Sequence, residues 1–124
     1  MPFHRSLSKA FKEKIAGIGE ILSDKVFSIL QSKEIEKARE TLAQDLPVFR
    51  AQMGITQEEL SQIIGITRQT YSLIETLKKP MSQDVFLSLI LLFNYNDRTK
   101  EMLDRNGAFT DGLKAVCNYN GRQK

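Results

Sequence analysis

Residues 56–75 read TQEELSQIIGITRQTYSLIE, and this stretch predicts two short helices that meet at a glycine. Thr56 and Glu59 have the T-x-x-E spacing of a capping box, in which each side chain bonds a free backbone N–H at the start of a helix. Gly65 ends that helix, because glycine takes the left-handed conformation at low cost. Thr67 can cap a second helix almost immediately afterwards. A link this short predicts a sharp angle between the two helices.

The second helix is predicted to present polar side chains outward. The apolar residues of the stretch face the other helix and the body of the domain: Leu60, Ile64, Ile66, Tyr71 and Ile74. Arg68 and Gln69 then lie outward in the first turn, followed by Ser72, with Leu73 and Thr76 at the margin. Arginine can form two hydrogen bonds to guanine, and glutamine can do the same to adenine. Because the first turn of such a helix enters the major groove, the stretch predicts a helix-turn-helix that reads double-stranded DNA.

This spacing resembles that of Cro/C1-type helix-turn-helix proteins, the XRE family, whose DNA-binding domains are lambda-repressor-like. The resemblance extends over roughly residues 46–96, and these residues stand in register: Arg50, Gly54, Gln57, Gly65, Thr67, Glu75 and Pro80. It implies an all-α fold with a five-helix DNA-binding domain, and the function of a sequence-specific transcriptional regulator acting as a repressor. Ser61 departs from the usual alanine at the helix crossing, but it is small enough to fit. Leu77 replaces the usual glycine, so we expect the recognition helix, residues 67–76, to end less sharply.

The resemblance also implies which residues contact DNA: Gln57, Thr67, Arg68, Gln69, Thr70, Ser72, Lys78 and Lys79. Gln57 begins the first of the two helices, where its side chain and the backbone N–H groups can meet a phosphate. Lys78 and Lys79 follow the recognition helix in a loop that runs along the DNA backbone in the family, although a solvated pair of lysines fits the sequence nearly as well. Thr67 is expected to use its hydroxyl mainly as a cap.

Arg50 and Glu75 are expected to be structural. In the family the matching residues form an ion pair between the first helix of the domain and the recognition helix, and a guanidinium can meet a carboxylate with two bonds. Tyr71 occupies a core position, so we expect its side chain mainly to pack in the core. Contact of its hydroxyl with a phosphate is the less favoured alternative.

The composition is compatible with DNA binding and gives no support for catalysis. The net charge of +3 is mildly basic, and residues 47–96 are balanced, so DNA contacts there would depend on individually placed residues. Cys117 and His4 are the single cysteine and histidine, so no disulfide, metal site, cofactor or catalytic nucleophile is expected. The lone cysteine fits a cytoplasmic location, and the apolar runs are too short to cross a membrane.

The helical pattern divides the chain into three parts: an N-terminal amphipathic extension at residues 1–33, a repressor-like domain at 34–106, and a short C-terminal helix and tail at 107–124. Ser32 is predicted to cap a helix that Pro47 interrupts. Asp45 is predicted to cap a new helix with Pro47 in its first turn, and this is the first helix of the repressor-like domain. The inward residues of that helix are expected to be Val48, Phe49 and Met53. Later helices are predicted after Ser82, at residues 97–105 and after Thr110, with a turn at residues 94–96.

An apolar stripe marks the N-terminal extension: Leu7, Phe11, Ile15, Ile18, Leu22, Val26 and Ile29. Its spacing keeps these residues on one side of a helix, which Gly17 and Gly19 can bend. The stripe can pack on the chain's own domain, form a homodimer, or, least favoured, lie on a membrane surface. A further alternative is that residues 7–29 bind a small protein partner, which would make the chain an antitoxin or a protein-interaction module.

Overall fold

The structure, a computed structural model, describes residue 28 and residues 32–118. In this part of the chain it is all-α, with no strand, and contains six helices: α1 (Lys33–Met53), α2 (Gln57–Ile64), α3 (Arg68–Glu75), α4 (Gln83–Tyr95), α5 (Lys100–Asn106) and α6 (Asp111–Cys117). The first five are the helices expected of a lambda-repressor-like domain, so the predicted fold class is confirmed. The stripe at residues 7–29 lies outside the described residues except for Ser28, which is helical and exposed. Among the described helices, none has the length and apolar character needed to cross a membrane.

Helix α1 is continuous through Pro47, so the predicted interruption was wrong. The helix begins at the Ser32 cap, whose side chain accepts from the Ile35 N–H, and ends at Gly54. Proline removes one backbone bond, but Pro47 is on the exposed side of the helix. The buried side of α1 carries apolar residues both before and after the proline: Ile35, Ala38, Leu42, Ala43, Leu46 and Phe49. Their common packing keeps both halves in one helix.

The expected inward set on α1 was also partly wrong. Phe49 is buried and Met53 is partly buried, whereas Val48 is 55 % exposed. In an uninterrupted helix, Val48 lies one turn after the exposed residues Gln44 and Asp45, so it shares their side of the helix and faces away from the core. Asp45 accepts from the Asn106 side-chain amide at 2.7 Å instead of capping a new helix.

Helices α2 and α3 form the predicted pair. Thr56 and Glu59 make both hydrogen bonds of the capping box, and Thr67 accepts from the Thr70 N–H to cap α3. Gly65 has a φ of 82°, which is the left-handed conformation expected of it. Ser61 is buried at the crossing, and its hydroxyl donates to the Glu58 carbonyl at 2.8 Å. A small polar residue is therefore accommodated there without an unsatisfied hydroxyl.

Helix α4 packs behind this pair and completes the core. Its predicted apolar residues are all buried: Val85, Phe86, Leu89, Ile90 and Phe93. Phe93 stacks on Phe49 of α1, with ring centroids 4.5 Å apart. The C-terminal half of α4 therefore lies against the C-terminal half of α1.

The chain beyond α4 differs slightly from the prediction. Helix α4 continues to Tyr95, so Asn94 is helical, and α5 begins at Lys100 instead of Asp97. Thr99 explains the shift, because its buried hydroxyl donates to the Phe93 carbonyl at 2.9 Å and holds residues 97–99 as a turn. Thr110 caps α6 as predicted.

Leu77 contradicts the expectation that α3 ends less sharply. Helix α3 stops at Glu75, and Leu77 takes a φ of 64°, the left-handed conformation that the family's glycine would supply. The N–H groups of Lys78 and Lys79 both donate to the Leu73 carbonyl, at 2.8 and 3.1 Å. These bonds close the turn and hold leucine in a conformation that its side chain disfavours.

Candidate nucleic-acid interface

The recognition helix α3 exposes the side chains that the sequence assigned to base reading. Arg68 and Gln69 are exposed in its first turn, directly after the Thr67 cap. Thr70 and Ser72 are partly buried. The Thr67 hydroxyl accepts from the Thr70 N–H at 3.0 Å and donates to the Thr70 hydroxyl at 2.9 Å, so both threonine hydroxyls already have partners within the cap. Arg68 and Gln69 are thus the polar side chains of this turn that are freest to meet bases.

The opposite end of α3 is fixed by hydrogen bonds to Glu75, which is 9 % exposed. Arg50 donates to its two carboxylate oxygens, from Nε at 3.0 Å and from Nη2 at 3.2 Å. The Tyr71 hydroxyl donates to Oε2 at 2.7 Å, and the Gln57 side-chain amide donates to Oε1. Arg50 also donates to the Ile55 carbonyl at 3.2 Å. The carboxylate therefore joins α1, α2 and α3 at one point, which orients the recognition helix.

The protonation states of this cluster follow from its geometry. Burial alone would raise the pKa of the Glu75 carboxyl, but hydrogen bonds from Arg50, Tyr71 and Gln57 together outweigh it and lower the pKa below its usual value. Burial, reinforced by the bond to Glu75, raises the pKa of Tyr71, which stays a neutral donor. The hydrogen bond to Glu75 likewise raises the pKa of Arg50. The cluster is thus a charged pair with two neutral donors at neutral pH.

Gln57 lies at the start of α2 and also belongs to the group of side chains that donate to Glu75. The sequence assigned it to a phosphate, and its bond to Glu75 was not foreseen. A glutamine amide carries two N–H donors, so one can bond Glu75 while the other stays available. The residue thus connects the N-terminal end of α2, where a phosphate is favoured, to the end of the recognition helix.

Lys78 and Lys79 are exposed in the loop that leaves α3. The backbone bonds to Leu73 fix the position of this loop next to the recognition helix. The structure therefore places Gln57, the first turn of α3 and the two lysines around one helix pair. Contact of these residues with DNA stays a prediction.

Within residues 32–118 and at residue 28, no three His, Cys, Asp or Glu side chains come together as a metal site would require. Cys117 is exposed on α6, remote in sequence from the helix pair.

Comparison with known families identifies the class of protein to which this interface belongs. A helix-turn-helix family matches residues 49–97, which run from the end of α1 to just after α4. Searches of curated proteins and of solved structures found no match. Residues 49–97 are a Cro/C1-type helix-turn-helix domain of the XRE family. In general terms, the chain is therefore a DNA-binding transcriptional regulator.

Proposed function

We propose that the chain is a sequence-specific transcriptional repressor that inserts α3 into the major groove of DNA. One observation carries the proposal: Arg68 and Gln69 are exposed in the first turn of α3, while Glu75 clamps the other end of that helix. A rigidly held helix presents its side chains in a fixed register, which is what discrimination between bases needs. Repression requires only that the bound protein block access to its site.

Phosphate contacts on either side of α3 would set its register. Gln57 and the N–H groups at the start of α2 meet one phosphate, and the Lys78–Lys79 loop meets the backbone on the other side. Residues 47–96 carry equal numbers of basic and acidic residues, so the affinity depends on these placed contacts. Each lysine that neutralises a phosphate adds to the salt dependence of binding.

The proposed functional unit is a homodimer. One recognition helix reads only a few base pairs, and two copies related by a two-fold axis read a palindrome whose half-sites are about 34–36 Å apart. The domain limits of residues 34–106 belong to the same proposal, because α1 and α5 add buried residues to the core around the matched residues; Ala108 and, in α6, Leu113 extend that core beyond residue 106.

A selection from randomised DNA with the purified full-length chain tests the proposal. Enrichment of a palindrome is expected, with each half-site reading a few base pairs. Failure to enrich any sequence, together with co-purification of a small protein partner, would instead favour the antitoxin alternative.

A further inference from the structure

The outward face of α3 carries an apolar side chain, that of Leu73, beside the two polar ones assigned to base reading. Three of the eight residues of α3 are exposed: Arg68, Gln69 and Leu73. Leu73 is 37 % exposed, whereas the other large apolar side chains of this helix, Tyr71 and Ile74, are buried. Four positions separate Gln69 from Leu73, so their side chains lie about 40° apart and share one face of the helix.

We propose that Leu73 contacts the C5 methyl group of a thymine in each half-site and so selects thymine at that position. The proposal rests on the proposed function, because it requires α3 to lie in the major groove. Thymine presents a methyl group at the major-groove edge, and apolar side chains recognise it by direct contact. Removing this methyl group and the exposed leucine from water stabilises the complex, and cytosine, with a hydrogen at C5, cannot supply that burial.

The position of Leu73 along α3 assigns it a different base pair from that of Gln69. At 1.5 Å per residue, Leu73 lies about 6 Å beyond Gln69 along the helix axis, and successive base pairs are about 3.4 Å apart. A helix that lies along the groove therefore places Leu73 roughly one or two base pairs from the pair that Gln69 reads. The selected half-site should contain a thymine at that distance.

The backbone of α3 is fixed at Leu73. The Leu73 carbonyl accepts from the N–H groups of Lys78 and Lys79, at 2.8 and 3.1 Å. Thr76 is the next exposed residue on this side, and its hydroxyl donates back to the Ser72 carbonyl at 2.7 Å. A fixed backbone leaves only the rotamers of the leucine to be restricted on binding, which keeps the entropic cost of the contact low.

Replacement of thymine by deoxyuridine in the selected site tests the contact. Deoxyuridine lacks only the C5 methyl group and keeps the hydrogen-bonding edge of thymine. At one thymine of a half-site, the replacement should weaken binding of the full-length parent about fourfold, the factor expected for losing the burial of one methyl group. Leu73→Ala should bind the thymine and deoxyuridine sites equally, because its side chain is too short to reach the methyl group.

Leu91→Ala is the matched control, because it makes the same change of side chain at a 62 % exposed position on α4. It should keep the parent's preference for thymine. A preference that persists in Leu73→Ala would overturn the proposal, since another residue or a change in DNA shape would then cause it.

Equal binding of the thymine and deoxyuridine sites by the parent would also overturn the proposal and make Leu73 an ordinary exposed leucine. A selected half-site without thymine would do the same. Both results leave the proposed function intact. Failure to enrich any site would instead overturn the proposed function, and the role of Leu73 with it.

Discussion

Replacing Glu75 by glutamine should destabilise the fold by about 2–4 kcal/mol. The side chain keeps its shape but loses its charge, and an amide N–H₂ group replaces one oxygen of a carboxylate that accepts four hydrogen bonds. Arg50 is then left without a counter-ion. Breaking a fully buried pair costs about 3–5 kcal/mol, and the lower range applies here because the Arg50 side chain is still 24 % exposed.

Thermal and urea unfolding of the full-length chain measure the change. The melting temperature of Glu75→Gln should fall by roughly 8–30 °C, from the usual 4–8 °C per kcal/mol in a small domain. Glu101→Gln is the matched control, because Glu101 is 89 % exposed in a pair 3.9 Å from Arg105, and it should change stability by less than about 0.5 kcal/mol. If both variants melted within a degree or two of the parent, Glu75 would not join the three helices as described.

The same carboxylate predicts a pH dependence. Its pKa is lower in the folded chain than in the unfolded one, so its contribution to stability is fully present above about pH 4.3 and is lost as the pH falls through the folded-state pKa. The difference in unfolding free energy between the parent and Glu75→Gln should therefore shrink below that pH. A constant difference down to strongly acidic pH would contradict the lowered pKa.

Two backbone predictions concern residues that depart from local preference. Leu77→Gly should stabilise the fold by about 0.5–1 kcal/mol in urea unfolding, because relief of the left-handed strain exceeds the entropy that glycine adds to the unfolded chain. Destabilisation would mean that the 59 % exposed leucine side chain makes a stabilising contact that outweighs its strain. Pro47→Ala should raise stability by about 1–3 kcal/mol, since it restores a backbone donor in an exposed helical position. Unchanged or lower stability, measured in the same way, would indicate that α1 needs the proline.

The parts of the structure that the sequence predicted are those fixed by local chemistry. The Thr56–Glu59 capping box, the Gly65 turn and the Thr67 cap each depend on a few adjacent residues, and all three are present. The core residues of α4 were also predicted correctly from their spacing, because a helix with so many apolar residues has to be buried.

The parts that were missed depend on tertiary contacts. Pro47 is a strong local signal to interrupt a helix, and packing on both sides of it overrides that signal. The backbone bonds to Leu73 force Leu77 into a conformation that its own preference opposes. The sequence predicted that Gln57 lies at the start of a helix. Its hydrogen bond to Glu75 joins residues 18 positions apart, so it could be seen only in the folded structure.

The most direct test of the account is the equilibrium affinity of the parent, Arg68→Ala and Lys78→Ala for the selected DNA site and for a scrambled one. Arg68→Ala should weaken binding to the selected site by about 1–3 kcal/mol, or about 5- to 150-fold, and leave the scrambled site nearly unaffected. Lys78→Ala should weaken both sites alike and reduce the salt dependence. If Arg68→Ala bound the selected site as tightly as the parent, α3 would not read bases through its first turn, and the central claim would be wrong.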